Sequence, residues 1–143
     1  EGVFVAYTSV YGNTKKAVEK FAEILKEKGC AKVAVADLAR EDMAECVEDA
    51  FRYGKIILAT TTYTNDIFPF MKEFIHHLTD RNYQNRKIGL IENGTWNPMA
   101  NKVMESMFAN SKNITILPTK VTIKTAMNDK TVTDLEKLAE EIL

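Results

Sequence analysis

VFVAYTSVYGNT, from Val3 to Thr14, sets a short apolar run against a loop of hydroxyl residues, a glycine and the opening of a helix. Val3 to Tyr7 is nearly continuously apolar, which suits a central parallel strand covered on both faces. From Thr14 to about Lys28 the period changes. Val18, Phe21, Ala22 and Leu25 recur at i, i+3, i+4 and i+7, the stripe of an amphipathic helix, and Gly29 follows as its stop.

The same alternation continues outward. Lys32 to Ala36 reads as a second strand, and a helix begins near Asp42, where Asp42 and Glu45 have the spacing of a capping box with an aspartate in first place. Ile56 to Ala59 is the most strand-like run in the chain. Pro69 opens a third helix at its first position, with Met71, Phe74, Ile75 and Leu78 as its inner stripe. Ile88 to Ile91 is a strand, and Asn97 with Pro98 reads as a cap and first-turn pair ahead of Ala100, Val103, Met104 and Met107. Strand-like residues from Ile114 to Ile123, interrupted or edged by Pro118, precede a last helix that turns Leu135, Leu138, Ala139 and Ile142 inward. Strict βα alternation predicts an α/β fold: a doubly wound five-stranded parallel sheet with helices on both faces, a three-layer α/β/α sandwich. In such sheets ligands sit beyond the strand carboxyl ends, where the strand order reverses.

At 143 residues the chain fits one domain, and 45% hydrophobic with 27% charged content is that of an ordinary globular protein. No apolar run approaches a membrane span, and nothing at the start reads as a signal peptide, so a cytoplasmic protein is expected. The chain opens at Glu1 without a Met, as an excised domain would. Basic and acidic residues number 19 and 20, a formal charge of −1, and the basic ones are scattered, so nucleic acid is not an expected partner. Cys30 and Cys46 form no CxxC and read as ordinary buried thiols. His76 and His77 are adjacent, so on a helix they point different ways, and no shared metal is expected.

Three loops carry the candidate chemistry. Thr8-Ser9-Val10-Tyr11-Gly12-Asn13-Thr14 offers hydroxyls, a glycine for a tight turn and the amides of a helix N-terminus, a donor set for phosphate. It holds no lysine and no GxxxxGK[ST] pattern, so a phosphate monoester suits it better than a triphosphate. The alternative is a plain Asn-Gly-type turn capped by Thr14. The second loop, Thr60-Thr61-Thr62-Tyr63-Thr64-Asn65-Asp66-Ile67-Phe68-Pro69, surrounds one aromatic with small hydroxyl residues, and the third, Glu92-Asn93-Gly94-Thr95-Trp96-Asn97, carries the chain's one tryptophan in a turn. Tyr63 and Trp96 on one crevice suit a flat, amphipathic ring system, although either could instead cover the edge of the core.

Strand, then Thr8-x-x-Tyr11-Gly12-Asn13-Thr14, then helix resembles the phosphate loop of flavodoxins. The resemblance covers nearly the whole chain and implies that family's strand order, 2-1-3-4-5, with one FMN bound at the switch between the first and third strands. Thr62-Tyr63 resembles the aromatic-bearing second flavin loop, and Asn93-Gly94-Thr95-Trp96 the third. Tyr11-Gly12-Asn13-Thr14, Phe68-Pro69 and the stretch from Glu92 to Pro98 are most similar to the flavodoxin domain of flavodiiron proteins. The resemblance implies that Thr8, Ser9, Tyr11, Gly12, Asn13 and Thr14 hold the phosphate. It likewise implies that Thr60, Thr61, Thr62, Tyr63, Thr64 and Asn65, with Asn93, Gly94, Thr95 and Trp96, flank the isoalloxazine. There are two departures: Thr60-Thr61 stands where Ser-Pro is common, and Asp66 follows Asn65 where a glycine often stands. Asn65 tolerates positive φ, so the backbone path can survive.

The implied function is electron transfer, with FMN cycling among quinone, semiquinone and hydroquinone and the backbone of Thr64 to Asp66 hydrogen-bonding its N5. No catalytic side chain is expected, because the cofactor carries the chemistry. A carboxylate at Asp66, if near the ring, would lower the second couple. Free flavodoxins are strongly acidic, whereas this chain is almost neutral, which suits work beside a redox partner protein or a covalently linked redox domain. The diiron ligands of a flavodiiron protein are not expected in this segment. Two alternatives stand: an FMN-dependent NAD(P)H or quinone reductase on the same fold, and a flavin-free interaction or receiver-type domain. A receiver would need an aspartate where this chain has Thr60.

Overall fold

The computed structural model describes residues 2–10, 12–63, 66–94, 98–124 and 127–143, with the backbone alone at 63. In chain order the elements are β1 (Val3–Tyr7), α1 (Asn13–Glu27), β2 (Val33–Asp37), α2 (Met43–Arg52), β3 (Lys55–Tyr63) and β4 (Asp66–Ile67). They continue with α3 (Pro69–Asp80), β5 (Arg86–Asn93), α4 (Ala100–Met107), β6 (Ile114–Ile116), β7 (Val121–Ile123) and α5 (Asp129–Ile142). The sheet runs β2-β1-β3-β5-β6, parallel throughout that path. From β1 the chain goes first to β2 on one side and then to β3 on the other, so the order reverses between β1 and β3. This is the 2-1-3-4-5 arrangement, with its fifth position divided. β6 pairs with β5 at Arg86–Ile88 and β7 pairs with it at Ile91–Asn93. Pro118 falls between the two pieces, where it has no N–H to give to a ladder.

Both faces of the sheet are buried, because side chains alternate along a strand and each face meets helices. Phe4, Ala6, Ile56, Leu58, Ile88 and Leu90 pack with Val47 of α2, Met71 and Phe74 of α3 and Met104 of α4. Val3, Val5, Ile57, Ala59 and Ile91 pack with Val18, Phe21 and Leu25 of α1 and Leu135, Leu138 and Ile142 of α5. The inner stripes of α1, α3 and α5 are those the periodicity predicts. That of α4 is narrower, with Val103 and Met107 only partly buried. Tyr83, in the turn after α3, donates its hydroxyl to Ala50 O at 2.9 Å and lies beneath the Arg86 guanidinium, 4.7 Å from the ring centre.

The structure corrects three local expectations. β3 continues through Thr60, Thr61, Thr62 and Tyr63, and β5 through Glu92 and Asn93, so these residues are strand rather than loop. Thr60 pairs with Glu92 and Thr61 with Asn93, and threonine, being β-branched, fits the pleat as readily as a turn. Thr62 and Tyr63 then turn into a short antiparallel pairing with Ile67 and Asp66 of β4, an added element. Finally, α4 begins at Ala100 with Met99 at its cap position, two residues later than the Asn97-Pro98 pattern implied. Asn97 itself lies outside the described residues.

Candidate cofactor site at the strand carboxyl ends

The ends of β1, β3 and β5 converge at the switch point. Thr8 N–H donates to Ala59 O at 3.0 Å, so β1 and β3 stay together past the last paired strand residue. The Thr8 and Thr60 hydroxyls hydrogen-bond to each other, both fully buried. Ser9 Oγ accepts from the N–H groups of Gly12 (3.1 Å) and Lys15 (3.3 Å). Gly12 caps α1 with φ +88°, a left-handed backbone that a glycine takes without strain. Thr14 is 0% exposed, and its Oγ1 stands 3.4 Å from Thr61 Oγ1 while accepting from Asn93 Nδ2 at 3.5 Å. One hydroxyl in the first turn of α1 therefore meets both neighbouring strand ends.

The α1 N-terminus differs from those of α2 and α5. Asp42 caps α2, with Glu45 in its first turn, and Asn128 caps α5, with Asp129 in its first turn. In α1 the cap has no side chain, and the first turn holds no acid but Lys15 and Lys16. The positive end of that helix dipole thus has no acid in its own first turn, as at α3 and α4, and the amides and hydroxyls around it are a donor set matched to a phosphate monoester.

At the second loop, Asp66 accepts from Ile67 N–H at 2.8 Å and pairs with Lys72 Nζ at 2.5 Å. The Lys72 hydrogen bond, and then that of the Ile67 amide, hold the Asp66 carboxyl below the usual carboxylate range. A cavity of about 690 Å³ opens beside it, lined by Asp66, Ile67, Pro69, Lys72, His76 and Asp80 among others. Behind the third loop, Glu92 is buried: its Oε1 accepts from Asn101 N–H at 2.8 Å and its Oε2 from the Thr122 hydroxyl at 2.5 Å. Asn101 Oδ1 is buried without a hydrogen-bond partner among the described residues. Gly94 N–H donates to Ile123 O at 3.0 Å.

Of the residues predicted from sequence, Thr8, Ser9, Gly12, Asn13, Thr14, Thr60, Thr61, Thr62, Asn93 and Gly94 thus gather at one rim of the sheet. Tyr11, Thr64, Asn65, Thr95, Trp96 and the side chain of Tyr63 lie outside the described residues, as does the expected backbone contact of residues 64 and 65 with flavin N5. Glu92 and Asn101 were not anticipated. The available signal was a carboxylate ending a strand that is otherwise apolar from Ile88 on, where only a satisfied charge can be buried. Cys30 and Cys46 are both free and buried, and burial, helped by nearby Glu41 and Asp49, pushes the Cys46 thiol up to about 11. His77 pairs on its own helix with Glu73 (3.5 Å) and lies 3.3 Å from Arg81, while His76 is exposed. A separate 470 Å³ cleft, lined by Asn82, Tyr83, Asn110 and Lys112, sits at the opposite end of the sheet. No described helix is long and apolar enough to cross a membrane.

Comparison with known proteins gives the same picture at the level of fold. The chain is similar to rubredoxin oxygen:oxidoreductase from the anaerobe Desulfovibrio gigas, with TM-score 0.91 and 20% identity over 99% of this chain and 35% of that one. It is similar to a flavodoxin from the domain Archaea, with TM-score 0.83 and 19% identity over 99% of this chain and 96% of that one. A flavo-diiron protein variant from Thermotoga maritima aligns with TM-score 0.81 and 23% identity over 99% of this chain and 35% of that one. The chain therefore spans about a third of the oxidoreductase and flavo-diiron chains and nearly all of the archaeal flavodoxin. No curated protein sequence matches it. The family model described as a flavodoxin domain matches residues 4–130, from β1 into the first turn of α5, and on that match the chain belongs to the flavodoxin domain family.

Proposed function

We propose that this chain binds one FMN, without a covalent link, at the carboxyl ends of β1, β3 and β5 and passes electrons through it. Membership of the flavodoxin domain family supports such a role in general. The observation that carries the reading here is the α1 N-terminus: a helix start with a bare glycine cap, no acid in its first turn and hydroxyls around it, at the strand switch point.

In this reading the phosphate lies against Ser9, Gly12, Asn13 and Thr14, with Tyr11 beside them. Thr8 spends its hydroxyl on Thr60, so this pair serves by keeping the two strand ends together. Thr61, Tyr63, Thr64, Asn65, Asn93, Gly94, Thr95 and Trp96 flank the isoalloxazine, and Asn93 joins the two halves of the site through Thr14. FMN supplies the redox chemistry, and the protein supplies binding, orientation and the electrostatic setting. A redox partner protein, or a covalently linked redox domain of the flavodiiron kind, exchanges electrons with it. The 35% share of the oxidoreductase chain that this fold occupies supports the linked form.

The test is a visible spectrum of the purified protein, with release and identification of its pigment, followed by Thr14→Ala and Trp96→Ala. Each folded variant is expected to hold FMN more weakly than the parent. Parent protein that takes up no FMN, or variants that bind it as firmly as the parent, would remove the proposal.

A further inference from the structure

α4 begins without a cap of its own. Met99 stands at the cap position and makes no side-chain bond there, and the first amides of the helix are satisfied from the sheet. Thr62 Oγ1, on β3, accepts from the N–H groups of Met99 (2.9 Å) and Ala100 (3.2 Å). Glu92 Oε1, on β5, accepts from Asn101 N–H at 2.8 Å, and its other oxygen is fixed by the Thr122 hydroxyl of β7. Three successive amides are therefore held by side chains from two strands, at the cost of burying a carboxylate that is only 7% exposed. A serine or aspartate at the cap position would satisfy the helix locally, without that burial. What the longer route adds is a tie between the second and third loops.

The geometry around Thr62 shows that tie. Gly94 ends the described strand side of the third loop, anchored by its N–H to Ile123 O at 3.0 Å. A Cβ added there would stand 3.4 Å from Thr62 Oγ1 and 3.4 Å from Pro98 Cβ. A side chain at Gly94, on the strand side of the loop, would thus touch the hydroxyl that Met99 and Ala100 engage from the α4 side. We propose that Thr62 and Glu92 are positioning residues of the cofactor site: from β3 and β5 they hold the α4 side of the third loop before FMN arrives, while the Gly94 backbone holds the strand side. Thr62 then acts through α4 and not by its own contact with the ring. The inference rests on the FMN reading above.

The experiment takes the parent chain, Thr62→Val, Thr62→Ser, Glu92→Leu and Glu92→Gln, titrates each apoprotein with FMN, and records the visible circular dichroism of the bound flavin. Valine and leucine keep the bulk and lose the acceptors, so each is expected to weaken FMN binding about tenfold, the lower end of what removing an outer-shell partner does at a metal site. Each should also change the flavin dichroism. Serine keeps the hydroxyl, and glutamine keeps an acceptor for Asn101 and a hydrogen bond to Thr122, so both should recover most of the lost affinity. Valine and leucine variants that melt earlier yet bind FMN with the parent's affinity and dichroism would reduce both residues to structural ones and overturn the proposal. So would serine or glutamine variants as weak as valine or leucine. Amide hydrogen exchange on the parent decides the matter even if a variant does not fold. The Met99, Ala100 and Asn101 amides are expected to be protected already in the apoprotein, and protection that appears only with FMN overturns the idea. A parent that takes up no FMN sinks the functional reading first and this inference with it.

Discussion

Asp66→Asn and Lys72→Gln should move the reduction potential of bound FMN in opposite directions. Asp66 Oδ2 and Lys72 Nζ are 2.5 Å apart, with side chains 37% and 45% exposed, so the intact pair presents a short dipole rather than a charge. The negative field that a lone Asp66 carboxylate would cast on the ring is therefore largely cancelled in the parent. Removing either partner uncovers one unit charge. A unit charge about 10 Å from a redox centre, at an effective dielectric constant of about 40–80, is worth about 0.4–0.8 kcal/mol, or about 20–35 mV on a one-electron step, which sets the scale of the expected shifts. Asp66→Asn leaves the ammonium, favours the incoming electron and raises the potential. Lys72→Gln leaves the carboxylate and lowers it, and the double variant returns close to the parent. Spectroelectrochemical titration of the FMN-loaded proteins measures all four. Because both groups reach solvent, the shifts should shrink as salt rises towards about 0.15 M. Two folded, FMN-loaded single variants that shift in the same direction, or not at all, would refute the pairing as the local charge control.

Gly12→Ala places a side chain on a backbone at φ +88° with no atom of the described residues, chain neighbours aside, within 4 Å of the new Cβ, so its cost is conformational and not steric crowding; urea denaturation should show a loss of about 1–2 kcal/mol. An unchanged midpoint would mean that the turn relaxes freely. Tyr83→Phe removes the hydrogen bond to Ala50 O and should cost about 1 kcal/mol of stability. It should leave the dissociation constant for FMN as it was, since Tyr83 lies at the far end of the sheet, and a weakened cofactor would contradict that separation. Asp66 has a carboxyl pKa depressed below the ordinary 3.8 in the folded chain. Its contribution to stability is accordingly full above the unfolded value and lost as the pH falls through the folded one. Both partners being more than a third exposed, that contribution is about 0.5 kcal/mol or less. The stability difference between parent and Asp66→Asn, measured by denaturation from neutral pH down to acid, should vanish at the acid end; a constant difference would mean that the ion pair contributes nothing.

The layers of this protein and the sheet rim where the candidate residues gather were legible in consecutive residues. An apolar run such as Val3–Tyr7 can be covered on both faces only inside a sandwich, Gly12 marks a left-handed backbone, and Pro118 divides the last strand because it lacks an N–H. Each of these is a property of a residue and its immediate neighbours. The extent of β3 and β5 was not legible in that way, because threonine fits a pleat as well as a turn, and Thr60 and Thr61 become strand only when Glu92 and Asn93 arrive beside them. Nor could the chain announce that Lys72 would neutralise Asp66, or that Thr62 and Glu92 would start a helix neither belongs to. Those outcomes depend on which donors and acceptors meet across many residues of intervening chain. Periodicity and backbone preference act along the chain, and so local sequence determined the architecture and the position of the rim. Hydrogen bonds and charge pairs act through space, and only the folded sheet decided how the rim is held.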